Sequence, residues 1–181
     1  MSTVIKEATI EDLYKVDGKA EIVNGEINFM SPTGFLPNRA ASNVYFSLRE
    51  HEKNVRDGLA VSDNMAFEVN LPNRKSFSPD AAFFTGKPSM KFAKGAPLFA
   101  VEVRSENDYG KTQEREIKAK RDDYFACGTK VVWDVDLLSD APIMSYHAND
   151  PDTPRIFRRG EIADAEYAIP GWRFAVEELF K

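Results

Sequence analysis

Hydrophobic and polar positions along the chain change period several times, and each change marks an element. Ala41, Val44, Tyr45 and Leu48 recur at i, i+3, i+4 and i+7, which lays one apolar stripe along a helix from Asn38 to about Lys53. Before it, Thr9 followed by Asp12 gives the capping signature of a short helix that ends before Gly18. Asn24-Gly25 between the β-prone runs Glu21–Val23 and Glu26–Phe29 predicts a hairpin, because both turn residues tolerate positive φ. Ala60 to Val69 reads as a strand and Ala81-Ala82-Phe83-Phe84 as a short buried one. Leu98 to Val103 is the most continuously apolar run, which predicts a central strand covered on both faces. A basic loop over Pro88–Gly95 precedes it. Gln113 to Ala126 is a charged helix with Ile117, Tyr124 and Phe125 as its apolar edge, closed by Gly128. Lys130 to Asp136 is a second central strand. Ile143–His147 and Arg155–Arg158 then form a hairpin around Asn149-Asp150-Pro151, and a short helix at about Val176–Phe180 ends the chain. The order predicts a mixed α/β fold on a central sheet, with Leu98–Val135 as a right-handed parallel crossover.

The chain has 181 residues, which predicts one domain over 1–181. Its 24 basic and 29 acidic side chains leave a net charge of -5, which argues against a protein that coats nucleic acid by charge alone. A local basic cleft, or a metal that bridges acids to phosphate, stays open. Cys127 has no second cysteine to pair with, which suits a reducing, cytoplasmic setting. Met1 to Val16 lacks the basic-then-apolar order of a signal peptide, and no apolar run approaches the roughly 20 residues of a membrane span. With His51 and His147 as the two histidines, a zinc site is not expected; a metal here should be a hard cation on carboxylates.

Three features invite chemistry. Glu102 lies inside the apolar run Leu98–Val103, where an unpaired carboxylate costs several kcal/mol. It is either a site residue, a solvated strand end or half of a salt bridge. Asp80 follows Pro79 and opens the strand Ala81–Phe84; by itself it reads as a turn aspartate. Glu116, Lys120 and Tyr124 are spaced by four and share one helix face, where an exposed Glu116–Lys120 ion pair is the simplest reading. Together, an acid opening one strand, an acid in a neighbouring apolar strand and a lysine on the following helix can converge at a sheet edge. Two carboxylates bind Mg²⁺ well, and a lysine beside them can offset charge on a phosphoryl oxygen.

Ser78-Pro79-Asp80, then Phe99-Ala100-Val101-Glu102-Val103-Arg104-Ser105, then Lys120, Tyr124, Gly128 and Val132–Asp136, resemble the Uma-two family of endonucleases. That family belongs to the PD-(D/E)XK, restriction-endonuclease-like superfamily. Ala20–Ile27 followed by Met30-Ser31-Pro32 resembles its amino-terminal signature. The resemblance implies a restriction-endonuclease-like core, a mixed β-sheet flanked by helices. It implies a Mg²⁺ or Mn²⁺ ion on Asp80, Glu102 and the carbonyl of Val103, with Lys120 as the catalytic lysine displaced from strand to helix. Glu21 matches an acidic family position, although strand alternation equally allows an exposed hairpin acid. Glu116 and Tyr124 are possible accessories. Arg104 stands where the superfamily motif has lysine; it cannot act as a base but can clamp phosphate. Pro37-Asn38 stands where the family often has histidine. Arg104 and Lys118, with Lys111, Arg115 and Arg121, form a basic neighbourhood able to guide phosphates, or else an ordinary solvated helix face.

The expected function is a Mg²⁺-dependent DNA endonuclease with weak, metal-dependent engagement of DNA and no membrane partner. The alternative is a degenerate nuclease-fold module serving as a dimeric scaffold. An expected homodimer would use Trp133, Trp172, Phe174 or Phe180 at its interface, residues whose default place is the core. An unrelated phosphohydrolase ranks last, since no phosphate-binding glycine loop or nucleophile elbow is present.

Overall fold

The computed structural model describes residues 7–55 and 57–181. The reading of Met1–Val16 as free of a signal peptide therefore rests partly on residues 1–6, which lie outside the described residues. The elements are α1 (Ile10–Leu13), β1 (Ala20–Val23), β2 (Glu26–Phe29), α2 (Phe35–Glu52), β3 (Leu59–Ser62), β4 (Phe67–Glu68), β5 (Ser76–Phe77), β6 (Ala81–Phe84) and β7 (Ala93–Lys94). Then come β8 (Phe99–Val103), α3 (Lys111–Ala126), β9 (Val131–Val135), β10 (Ile143–His147), β11 (Asp150–Phe157), β12 (Ile162–Ala163), β13 (Phe174–Ala175) and a closing 3-10 helix, Val176–Phe180. Six strands form the main sheet in the order β11-β10-β9-β8-β6-β3. β8 and β9 pair in parallel, as the apolar runs flanking a helix predict, and the remaining neighbours in this sheet are antiparallel.

Period-two alternation assigns the two faces of this sheet. Ala81, Phe83, Phe99, Val101, Val103, Val131, Trp133 and Val135 face one core with Ala40, Ala41, Val44 and Leu48 of α2. Ala82, Phe84, Ala100 and Val132 face a second core with Tyr124 of α3. Helices thus cover both sides of the central strands, the condition a continuous apolar run demands. Trp133, Trp172 and Phe174 are buried in the first core, their rings 5.1–6.0 Å apart, and Phe180 packs against it. The aromatics considered for a dimer interface therefore serve the core.

Local signals hold at several joints. Thr9 and Asp12 make the reciprocal capping box, and Asn24 (φ 52°) with Gly25 (φ 77°) makes the β1–β2 turn. Elsewhere tertiary context moves boundaries. Helix α2 starts at Phe35 rather than Asn38, because Pro37 falls in the first turn, where its missing N–H has no helical acceptor anyway. The strand expected over Ala60–Val69 is two, β3 and β4, split at Asp63-Asn64, with Asn64 in the left-handed region (φ 64°). β11 runs from Asp150 through Pro151 and Pro154, which an edge strand tolerates. No helix among the described residues is long and apolar enough to cross a membrane.

Gly58 leads into β3 with φ +121°, and a Cβ there would lie 2.1 Å from Cε1 of the core residue Phe83. Gly58→Ala should destabilise the fold by about 1–3 kcal/mol, lowering the thermal midpoint by about 2–12 °C in calorimetry. An unchanged midpoint would contradict this packing.

Candidate active site

The sheet gathers acids at one end. Ala81 of β6 is opposite Ser62 of β3 and Val101 of β8, so Asp63 and Asp80 lie just beyond that pairing, beside Glu102. Glu102 is opposite Asp134 in the parallel β8–β9 ladder. This is the carboxyl end of the two parallel strands, where open α/β sheets place their ligand sites. Asp80 is fixed through its own strand junction. Its N–H donates to the Val101 carbonyl (3.0 Å), and its Oδ2 accepts from the Val103 N–H (2.8 Å).

Two lysines divide the acids between them. Lys19 Nζ lies 2.7 Å from Asp80 Oδ1 and 2.6 Å from Asp63 Oδ1. Lys120 Nζ lies 2.8 Å from Glu102 Oε1 and 3.0 Å from Glu21 Oε1. Tyr124, one turn after Lys120 on α3, donates its hydroxyl to the same Glu102 Oε1 at 2.7 Å, and its ring stacks on Phe77 with centroids 3.9 Å apart. Glu102 Oε2 receives no donor among the described residues. Glu21 is buried; it accepts from the Ser78 N–H (2.7 Å) and from Arg74, which also binds Asp123 at 2.8 Å.

The charges follow from this geometry. Burial drives the Glu102 carboxyl up; Lys120 pulls it back, but Asp80 and Glu21 push it up again, and it ends above the ordinary carboxylate range. Burial would likewise raise Glu21, but Lys120, Arg74 and the Ser78 N–H overcome this and hold it below that range. Burial lowers the Lys120 ammonium, yet Glu102 and Glu21 outweigh it and keep it charged well above neutrality.

A family model described as Uma2, putative restriction endonuclease, matches residues 8–177. The chain belongs to the Uma2 family. This makes it a nuclease-family protein at the coarse level. Its fold is similar to the crystal structure of a putative nuclease belonging to DUF820 from Anabaena variabilis, with a TM-score of 0.73 at 16% identity, over 96% of this chain and 97% of that one. No curated protein matches the sequence.

Within this Uma2 chain, Asp80, Glu102, Lys120, Tyr124 and Glu21 converge, and Val103 reaches Asp80 through its N–H. Four other candidates do not join them. Arg104 is buried with its guanidinium on Asp134 (2.7 Å to each oxygen) and on Glu114, so these acids engage the donors expected to meet phosphate. Lys118 sits two residues, about 200°, around α3 from Lys120 and pairs instead with Asp122 and Asp152. Glu116 is exposed and makes no ion pair with Lys120 among the described residues. Arg121 is buried as well, stacked 3.5 Å over the Tyr146 ring. Sequence reasoning missed Lys19, Asp63 and Arg74. The Lys19 signal was there: it precedes Glu21 by two residues, so both project from the same side of the hairpin strand.

Hard oxygen donors with a surplus of negative charge fit a divalent cation at Asp80 and Glu102. Among the described residues no three His, Cys, Asp or Glu side chains group closely enough to hold an ion by themselves, so backbone or solvent oxygen must complete any coordination.

Glu21 supplies stability that is full above the ordinary glutamate range and is lost as the pH falls through its lowered folded value. Glu102 has the opposite sign: its raised folded value means that its ionisation costs stability at neutral pH. With a chelator at pH 7, Glu21→Gln should therefore lose about 1–3 kcal/mol, and Glu102→Gln should melt at or above wild type. The Glu21→Gln deficit should narrow below the ordinary glutamate range; denaturant titration across pH checks both signs. Arg104→Ala leaves Asp134 buried and unpaired and should lose about 3–5 kcal/mol, whereas Lys118→Ala should change stability by less than about 0.5 kcal/mol.

Proposed function

We propose that this Uma2 protein is a metal-dependent nuclease that hydrolyses phosphodiester bonds in DNA. The observation that supports this reading best is the meeting of Asp80, Glu102 and Lys120 at the carboxyl end of β8 and β9 in a chain of a nuclease family. A Mg²⁺ or Mn²⁺ ion held by Asp80, Glu102 and the Val103 carbonyl would polarise the scissile phosphate and lower the pKa of an attacking water.

The chain's own groups have distinct tasks in this reading. The Val103 N–H holds Asp80 so that Oδ1 is its outward oxygen. Lys120 and Tyr124 both engage Glu102 Oε1, which turns Oε2 toward the site. Lys120 also places a permanent positive charge where charge grows on the phosphoryl oxygens. Glu21 holds Lys120 from behind, and Arg74 compensates Glu21, so the ammonium is set before substrate arrives. Lys111 and Arg115 remain exposed at the start of α3 and are the basic residues left to guide a phosphate backbone.

Nicking of supercoiled plasmid with Mg²⁺ or Mn²⁺ tests this. Asp80→Asn, Glu102→Gln and Lys120→Met should each lower the rate by about a hundredfold or more, while Lys118→Ala should stay within about twofold. Equal rates for wild type and the two carboxylate variants would dismiss the site. Inert wild type that also fails to bind Mg²⁺ or Mn²⁺ at millimolar concentrations would favour the degenerate scaffold.

A further inference from the structure

We infer that Lys19 and a divalent cation are alternative partners of Asp80 Oδ1, and that Asp63 is the seat to which Lys19 withdraws when the cation binds. This rests on the metal-dependent reading above and adds to it a residue that sets the affinity of the site.

The geometry leaves Asp80 one outward oxygen. Oδ2 is committed to the Val103 N–H at 2.8 Å, so the carboxylate cannot simply turn over to offer it. Oδ1 already faces Lys19 Nζ at 2.7 Å. A Mg²⁺ ion bonds carboxylate oxygen at about 2.0–2.1 Å, which would put two positive centres within a few ångströms of each other on one oxygen. The repulsion between them is removed if the ammonium moves away.

A second carboxylate is already within reach. The same Nζ lies 2.6 Å from Asp63 Oδ1, so withdrawal breaks one ion pair and keeps the other. Asp63 is also held in place. Its Oδ1 accepts the Asn64 N–H at 2.7 Å across the left-handed turn residue that ends β3, and the side chain is partly open to water. Lys19 is a flexible four-carbon arm with three donors, suited to sharing and then shifting. Lys120 is not an equivalent candidate, since it and Tyr124 both engage Glu102 Oε1, and no hydrogen-bond donor among the described residues meets Oε2.

Titrating the full chain with Mn²⁺ in chelator-stripped buffer, by calorimetry and by paramagnetic resonance of free Mn²⁺, tests the exchange without any nuclease assay. Lys19→Gln should bind Mn²⁺ at least about fivefold more tightly than wild type, and Lys19→Arg, which restores the charge, should return toward wild type. Asp63→Asn removes the withdrawal seat and should weaken binding at least about threefold, an effect that shrinks in the Lys19→Gln background. Asp63 is part-exposed at a turn, so its variant keeps the proposal testable should Lys19→Gln fail to fold in a circular-dichroism melt. Unchanged or weaker binding by folded Lys19→Gln, or unchanged binding by Asp63→Asn, would overturn the exchange while leaving the metal site standing. Binding by neither wild type nor Lys19→Gln would overturn the metal site itself and the exchange with it. Binding by Lys19→Gln alone would support the exchange in its strongest form.

Discussion

Like charges crowded at one end of a sheet are the constraint on which the structure turns. Asp63, Asp80, Glu102 and Asp134 gather there on successive strands, and the hairpin adds Glu21. Two such charges 4 Å apart repel by about 4 kcal/mol at an effective dielectric of 20. The fold answers with interleaved cations: Lys19 between Asp63 and Asp80, Lys120 between Glu102 and Glu21, Arg104 on Asp134, and Arg74 on Glu21. Burial is the main reason the Glu102 carboxyl stands above its ordinary value, with Asp80 and Glu21 adding to the rise against Lys120 and Lys19.

The cations divide by chemistry. Arg104 and Arg74 use several donors on two acids each, and both are buried. A guanidinium suits that permanent task because it neither titrates nor loses its geometry. The lysines sit on the carboxylates proposed for the cation, each ammonium shared between two acids. An arginine two residues after the glutamate is thus accounted for by its neighbour Asp134, which would otherwise be buried without a counter-charge.

Elements whose signal is local were legible in the sequence. The Thr9–Asp12 box, the Asn24-Gly25 turn, the α2 stripe and the continuous apolar strands all rest on short-range rules. Glu102 stands out as an acid within an apolar strand, whereas Asp80 and Lys120 read by themselves as a turn aspartate and an exposed helix ion pair and are singled out by the family resemblance. The rest depended on pairings distant in sequence. Arg104 looked available until β9 placed Asp134 opposite Glu102, and Lys19 looked like a hairpin entry until Asp63 and Asp80 met it. Strands of two residues, such as β4 and β5, carry too few positions for a period to show.

The amino-terminal hairpin has a standing of its own. Its buried residues Ala20 and Ile22 belong with Leu13 to a small cluster apart from the two cores of the sheet. It is tied down by the exchange of Ile22 with Ser76 and Lys75, by the Asn24–Asn73 bond and by a bridge from Val23 to Arg74. Yet it carries Lys19 and Glu21, which touch Asp80 and Lys120. The acids proposed for the metal therefore sit on the main sheet, while Lys19 and Glu21 reach them from the docked hairpin. The charge around the two proposed carboxylates is thus set partly by a segment whose own buried apolar support is Leu13, Ala20 and Ile22 rather than the sheet beneath them.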